Sequence, residues 1–154
     1  MNRNKSSFKI DWVLVNELAI GIAPRREKHL MILKDNGINS VLSLCSEIEA
    51  PPPIGFYESF NCSRLVLPDH KAGRFPEEGE LLTALNTLRE SMKNKPVYIH
   101  CVAAIERSPL VCMAWLIVEK GLSTLNALEY MKEVHPRTNP LSGQLSLLDN
   151  LTFK

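Results

Sequence analysis

The chain has 154 residues, a formal net charge of +1 and a hydrophobic fraction of 45%. This length is typical of one domain, and the apolar content is sufficient for a packed core, which excludes a disordered chain. A charge so close to neutral provides no strong field for nucleic acid or an acidic membrane surface. No apolar run reaches the roughly 18 residues of a membrane span. We therefore predict a single domain over residues 1–154, with no nucleic-acid or membrane partner.

In chain order, the first half predicts three or four strands and one helix. The patterns indicate one or two strands in "DWVLVNELAIGIAP", a short helix in "REKHLMILKDNG" that stops at Gly37, a buried strand in "INSVLSLC" and a loop in "EAPPPIG". A further short strand is expected in "SRLVLP". Strands separated by helical segments favour a parallel sheet.

The second half predicts four helices and one more strand. The helix in "FPEEGELLTALNTLRESMKNKP" has Pro76 at its first position, and the strand "VYIH" follows it. A buried helix in "SPLVCMAWLIVEKG", a helix in "LSTLNALEYMKEVHP" with Ser123 as N-cap, and a last helix in "LSGQLSLLDNL" complete the chain. The order indicates an α/β fold with a central, mostly parallel sheet of four to five strands flanked by helices. In such sheets ligands bind beyond the carboxyl ends of the strands.

The cysteines carry no sign of a crosslinked or metal-binding protein. Cys45, Cys62, Cys101 and Cys112 form no CxxC pair, and the cysteines and histidines lack zinc-ligand spacing. The start "MNRNKSSFKIDW" lacks the apolar region of a secretory signal. We therefore interpret the cysteines as reduced thiols of a cytoplasmic protein, expected to be a monomer without metal or cofactor.

The stretch "VYIHCVAAIERSP" combines a strand end, a thiol and an arginine before a helix start. The loop after Cys101 can aim successive backbone N–H groups at one point, and the helix that begins near Ser108 adds its own free N–H groups. The fork of Arg107 can hold two phosphate oxygens. The same surroundings favour a thiolate at Cys101, which can attack phosphorus. The alternative is a buried strand and helix that merely contain a thiol. The apolar strand and His100 before the loop, with Ser108 and a helix after it, favour the phosphate site.

The segment "HCVAAIERS" resembles the signature loop HCxxGxxR(S/T) of the dual-specificity phosphatases, a family of cysteine-dependent phosphatases. The looser resemblance extends from "LAIGIAP" to "SGQLSLL". It implies the cysteine-phosphatase fold, Cys101 as a nucleophile that becomes a cysteinyl phosphate, Arg107 as a catalytic phosphate ligand, Ser108 as the hydroxyl that assists the sulfur, and His100 as the residue that orders the loop. It also implies substrate binding by the loop residues Val102, Ala103, Ala104, Ile105 and Glu106.

The mechanism needs a proton donor for the leaving oxygen, and the family uses an aspartate about thirty residues before the cysteine. Asp69 in "LVLPDHKAGRFPEEGE" fits this spacing and lies in a loop. A simple turn, common for Pro-Asp, is the alternative. Glu77 and Glu78 are weaker candidates because a first helical turn already explains them. His70 beside Asp69 is expected to be a solvated loop histidine.

A second group of residues lies late in the chain. Gln144 loosely resembles a glutamine that lines the family's site, and a solvent-facing helix position explains it equally well. Arg137 and Asn139 lie in a turn-rich segment that can border the pocket.

Two positions depart from the signature. Ala104 replaces the glycine that lets the backbone take positive φ, so its methyl group can strain or narrow the loop. Glu106 places a carboxylate beside Arg107, where it competes for the arginine if it points inward or pairs with a basic residue if it points outward. We hypothesise that both residues limit turnover.

The residues favour a phosphatase acting on phosphotyrosine, phosphoserine and phosphothreonine of phosphorylated proteins or peptides. The alternatives are a phosphate-binding pseudophosphatase with little turnover, or a phosphatase of a non-protein phosphomonoester such as a lipid. No basic residue lies between Cys101 and Arg107, which disfavours polyphosphorylated inositol and RNA 5′-triphosphate. Lys71 and Arg74 can add charge at the rim.

A second cysteine ends the strand before the loop "EAPPPIG". By the family resemblance, the strands that precede Cys45 and Cys101 are neighbours, and neighbouring strands bring Cα atoms within the range of a disulfide. We hypothesise that Cys45 traps an oxidised Cys101. The alternative is that Cys45 is a buried core residue facing the other side of the sheet.

Overall fold

The strands of the protein form one sheet in a computed structural model that describes residues 7–151. They are β1 (Asp11–Leu14), β2 (Leu18–Gly21), β3 (Ser40–Ser43), β4 (Asn61–Arg64) and β5 (Val97–His100). Their order is β1-β2-β5-β3-β4, and all neighbours pair parallel except β1 and β2. The predicted central, mostly parallel sheet is confirmed, with β5 in its middle.

Helices cover both faces of this sheet. They are α1 (Glu27–Asp35), α2 (Phe56–Ser59), α3 (Glu78–Ser91), α4 (Arg107–Lys120), α5 (Thr124–Val134) and α6 (Ser142–Leu148). Among these six α-helices of residues 7–151, the short α2 is the one that the sequence patterns did not predict. Within residues 7–151, no helix has the length and apolar character needed to cross a membrane. The start of "MNRNKSSFKIDW" and the outermost residues of the predicted domain fall at 1–6 and 152–154, outside the described part.

The central strand β5 shows why the sheet has a core on each face. All four of its residues are buried. Because side chains alternate along a strand, Val97 and Ile99 pack with the larger cluster that includes α3 and α4, while Tyr98 packs with α1 on the other face. A strand buried on both faces reads as a nearly continuous apolar run, and the strand predicted at "VYIH" is confirmed.

The helix that follows the β5 loop is buried over most of its length. Eleven consecutive residues, from Arg107 to Ile117, are buried, and the helix ends at Gly121 in the left-handed conformation. The sequence prediction of a helix apolar on nearly all sides is confirmed. The helix begins at Arg107, one residue before the expected start, so the arginine lies in its first turn.

Two predicted boundaries are wrong. The strand expected in "SRLVLP" is β4, which begins at Asn61 and contains Cys62. It is an edge strand of polar residues that pairs only with β3, so its sequence lacks the apolar signal of a buried strand. The helix expected from Pro76 begins at Glu78, because Glu80 Oε1 accepts the N–H of Glu77 at 2.8 Å and caps the helix there.

Candidate active site

The loop after β5 places a cysteine at the carboxyl edge of the sheet. Cys101 is the first residue beyond the strand and is only 3% exposed. Its Sγ lies 3.3 Å from Ser108 Oγ, in the first turn of α4. A hydroxyl group at this distance can donate a hydrogen bond to a sulfur anion and stabilise it as a leaving group.

The carbonyl groups of this loop are held by partners from other parts of the chain. The four pairs are Val102 O with the Ala23 N–H at 3.2 Å, Ala103 O with Arg137 Nε at 3.0 Å, Ala104 O with His135 Nε2 at 2.7 Å, and Ile105 O with the Asn139 N–H at 2.9 Å. In a trans peptide the C=O and the next N–H point in opposite directions. Anchoring four consecutive carbonyls on one side therefore turns the following N–H groups to the other side.

Those N–H groups are left without a partner in the part of the protein that the structure describes. Within residues 7–151, the backbone N–H groups of 102–107 donate no hydrogen bond to a protein acceptor. The first turn of α4 adds the positive end of a helix dipole. Successive unpaired N–H groups at a helix start bind an oxyanion such as phosphate.

Arg107 lies beside these donors and is held from three sides. Its Nη1 donates to Leu67 O at 3.0 Å and to Leu44 O at 3.3 Å. Its Nη2 donates to Glu49 Oε1 at 2.8 Å, and Glu49 Oε2 lies 3.4 Å from Nη1. The hydrogen bonds of Arg107 within the described residues all come from Nη1 and Nη2, so its Nε–H is unpaired there. The side chain is 4% exposed, so its orientation is fixed by these contacts.

Glu49 was not among the residues predicted from the sequence. It begins the turn-rich loop "EAPPPIG", and its carboxylate also accepts the Ser46 N–H at 2.9 Å. The hydrogen bond from Arg107 lowers the pKa of the Glu49 carboxyl, so it is ionised at neutral pH. The feature of the sequence that could have pointed to Glu49 is its position in the loop after the carboxyl end of β3.

Asp69 lies in the same cleft as Cys101 and Arg107. The cleft has a volume of about 560 Å³. Asp69 Oδ1 accepts the Lys71 N–H at 2.9 Å, and Oδ2 lies 3.6 Å from Arg107 Nη2. Asp69 therefore does begin a turn, as the alternative interpretation held, and also faces the site. Glu77 and Glu78 lie at the start of α3 and do not line the cleft.

His100 is a neutral, buried residue behind the loop. Its Nδ1 lies 2.9 Å from the Cys101 carbonyl, which can only accept, so Nδ1 carries the hydrogen. Its Nε2 then accepts from Ser43 Oγ at 2.7 Å. Burial lowers the pKa of His100 to about 4, so it carries no charge at neutral pH. These contacts join the loop to β3 and agree with the ordering role that the resemblance implies.

The carboxylate of Glu106 does not contact Arg107. It pairs with His70 through Oε2 and accepts from Gln144 Nε2 through Oε1 at 3.2 Å. Gln144 is only 1% exposed, so the solvent-facing alternative for it is wrong. His70 is half-exposed and paired with Glu106, which connects the Asp69 turn to the loop after β5.

The remaining loop residues divide into two groups. Val102, Ala103, Ile105 and Glu106 line the cleft. Ala104 is fully buried outside its lining and adopts a positive φ of 60°. Lys71 lines the cleft as expected, whereas Arg74 is bound to Glu80 through two contacts of 2.8 Å.

A buried thiol below an anion-binding loop, with an arginine and an aspartate in the same cleft, defines the class of cysteine-based phosphatases. Residues 22–151 match the family model described as "Dual specificity phosphatase, catalytic domain". The chain belongs to the dual specificity phosphatase family.

Relatives with several different names share this family. The chain is 28% identical over 128 residues to the phosphatidylglycerophosphate phosphatase PTPMT2 of Arabidopsis thaliana. This alignment covers 82% of the chain and 56% of the relative. It is 26% identical over 135 residues to the dual specificity protein phosphatase PHS1 of the same plant, covering 87% of this chain and 14% of the relative. The chain thus spans about half of the first relative and less of the second. The crystal structure of Tk-PTP in the active form superposes with a TM-score of 0.79 and 25% identity, over 93% of this chain and 95% of the other.

Proposed function

We propose that the protein hydrolyses phosphate monoesters through a cysteinyl-phosphate intermediate. The observation that carries the proposal is the convergence of Cys101, Arg107 and the unpaired N–H groups of 102–107 on one cleft. An oxyanion bound there lies above a sulfur nucleophile, which is the arrangement needed for attack at phosphorus.

The chemistry divides into two transfers. In the first, Cys101 Sγ forms a bond to phosphorus, the P–O bond to the leaving group breaks, and protonated Asp69 gives its proton to the leaving oxygen. In the second, water attacks phosphorus, Asp69 takes the water proton, and the S–P bond breaks with the electron pair returning to sulfur. Arg107 and the loop N–H groups stabilise the charge that develops on the equatorial oxygens in both steps. Ser108 Oγ, at 3.3 Å, stabilises the departing thiolate.

We further propose phosphorylated protein side chains as the substrate. Among the described residues that line the cleft, the lysine and arginine side chains are Lys71 and Arg107, against the carboxylates of Glu49, Asp69 and Glu106. This charge balance suits one phosphate group and repels a second, which disfavours polyphosphorylated ligands. Phosphotyrosine, phosphoserine and phosphothreonine each present a single monoester.

A phospholipid monoester is the second candidate substrate. The observation in its favour is the similarity to a relative named as a phosphatidylglycerophosphate phosphatase. A phosphate on a primary alcohol has a poor leaving group, so this candidate depends strongly on a general acid such as Asp69.

The first experiment measures phosphate release from an aryl phosphate by the parent and by Cys101→Ser. We expect the variant to lose turnover and still bind tungstate in calorimetry, and undiminished turnover would refute the covalent mechanism. A parent chain that binds tungstate without any turnover would instead identify a phosphate-binding module.

The second experiment addresses the substrate. The parent is assayed on phosphotyrosine, phosphoserine and phosphothreonine peptides and on phosphatidylglycerophosphate in neutral vesicles, at equal phosphate concentration. A higher kcat/KM on the peptides supports the protein substrate, and a higher value on the vesicles replaces it with the lipid.

A further inference from the structure

Ala104 holds a backbone conformation that an alanine rarely adopts. Its φ of 60° lies in the left-handed region, where the Cβ of an L-residue is crowded by the backbone. Glycine takes this conformation without the same crowding. Something outside the residue must therefore hold the loop in this shape.

His135 provides such a contact. It is 1% exposed and follows the end of α5, and its Nε2 lies 2.7 Å from Ala104 O. Its Nδ1 lies 2.6 Å from Asp11 Oδ2 on β1. The ring therefore joins the edge strand of the sheet to the phosphate-binding loop.

We propose that His135, oriented by Asp11, is a positioning residue that keeps Ala104 left-handed and so aims the Ile105 N–H at the bound phosphate. The carbonyl of Ala104 and the N–H of Ile105 belong to one peptide group, and the two point in opposite directions. A hydrogen bond that draws the carbonyl toward His135 turns that N–H toward the anion site. The inference rests on the proposed use of this loop for phosphate.

The hydrogen positions follow from the acceptors. A carbonyl oxygen only accepts, so the hydrogen at Nε2 is fixed. The contact of 2.6 Å between Nδ1 and Asp11 Oδ2 holds the ring from its other side. Asp11 thereby fixes both the ring orientation and the donor that faces Ala104.

Two substitutions of His135 separate the two contacts. The amide nitrogen of His135→Gln comes closest to the place of Nε2 and keeps a donor toward Ala104. The amide nitrogen of His135→Asn comes closest to the place of Nδ1 and keeps only the contact with Asp11. We expect H135N to weaken tungstate binding and to lower kcat/KM on an aryl phosphate about tenfold, the usual result of leaving a buried acceptor unpaired, and H135Q to stay within about threefold of the parent.

The decisive measurement repeats both variants in an Ala104→Gly background. Glycine holds the left-handed conformation unaided, so we expect the effect of H135N on tungstate affinity to shrink to about threefold or less. A purely structural role of His135 between α5 and β1 predicts the same loss in both backgrounds. Tyr130→Phe is the control, because Tyr130 Oη joins α5 to Val13 O on β1 at 2.5 Å without touching the loop.

The outcomes separate this inference from the proposed function. Equal losses for H135N in the two backgrounds, or equal behaviour of H135Q and H135N, would overturn the inference even if the parent is an active phosphatase. The expected tungstate pattern in a parent without turnover would support the inference and refute the function. If H135N does not fold, Asp11→Asn replaces it, with a loss of tungstate affinity expected in the parent and absent in the A104G background.

Discussion

Replacing Glu49 by glutamine tests whether the carboxylate that holds Arg107 contributes to phosphate binding. Glu49 Oε1 accepts from Arg107 Nη2 at 2.8 Å, and the arginine side chain is 4% exposed while that of Glu49 is 33% exposed. A hydrogen bond to a charged group stabilises by about 1.5–3 kcal/mol, and the exposure of Glu49 places this one near the lower end, at about 1–2 kcal/mol. Glu49→Gln keeps an acceptor oxygen but loses the charge, so Arg107 is expected to become less well oriented.

The assay is steady-state hydrolysis of an aryl phosphate, together with thermal unfolding. We expect kcat/KM to fall about 5- to 30-fold, the equivalent of that free energy. Glu47→Gln is the matched control, because Glu47 lies in the same loop and contacts Tyr57 instead of Arg107. An E49Q activity equal to or above that of the parent would refute the reasoning, because it would show that the carboxylate competes with phosphate for the arginine.

The same variant has a defined pH signature in stability. The hydrogen bond from Arg107 makes the pKa of Glu49 lower in the folded protein than in the unfolded chain. The stabilisation is therefore complete above the unfolded value of about 4.3 and is lost as the pH falls through the lower folded value. We expect the difference in unfolding free energy between parent and E49Q to be constant above about pH 6 and to shrink below about pH 4. A difference that grows on acidification would contradict the assignment.

Three further predictions concern Asp69, Glu106 and Cys45. Asp69→Asn is expected to reduce kcat roughly 100- to 10,000-fold with poor leaving groups and less with good ones, and a loss that is equal for both would argue against a general acid. Glu106→Gln is expected to lower kcat about threefold on poor leaving groups, because the carboxylate joins His70 to the loop, and a gain in activity would instead favour the hypothesis that Glu106 limits turnover. After peroxide and then a reductant, Cys45→Ser is expected to recover less activity than the parent, and equal recovery without a Cys45–Cys101 peptide in mass spectrometry would exclude the disulfide.

The structure confirms that the two thiols follow neighbouring strands, which is one requirement of the disulfide hypothesis. The strands before the two thiols are parallel neighbours, with Ser43 opposite His100. Cys45 Sγ lies 4.0 Å from His100 Nδ1, although burial raises the pKa of its thiol. Cys45 is also a buried core residue packed with Ala23 and Ala50, in a different cluster from Cys101, which agrees with the alternative that it faces the other side of the sheet.

Local signals made part of this structure predictable. The strand β5 and the helix α4 are mostly apolar runs. A fully buried element can be predicted from such a run alone, because the signal lies in its own residues. Cys101, Arg107 and Ser108 lie close together in the sequence, at the start and end of the segment that joins β5 to α4, so their proximity follows from the chain itself. The edge strand β4 was misplaced because a polar strand with one partner depends on its pairing rather than on its own sequence.

The partners of the loop were not predictable in this way. His135, Arg137 and Asn139 contact the loop carbonyls from a segment more than thirty positions away, and Glu49 reaches Arg107 from the opposite direction along the chain. Nothing in a turn-rich segment distinguishes a residue that binds a carbonyl from one that faces water. Such roles arise only when the sheet and α5 bring distant segments together, which is a property of the tertiary structure.

The four anchored carbonyls also make the site a product of the complete fold. Their partners extend from Ala23 near the first strands to Asn139 after the fifth helix, so an isolated loop peptide has nothing to orient its N–H groups. A chain folded over only part of its length would present the thiol without the anion site. Phosphate or tungstate should therefore bind the finished molecule alone and stabilise it by mass action, by about 2.7 kcal/mol at one hundred times the dissociation constant. Anion binding therefore measures whether the segments that contain Ala23 and Asn139 have both packed against the loop.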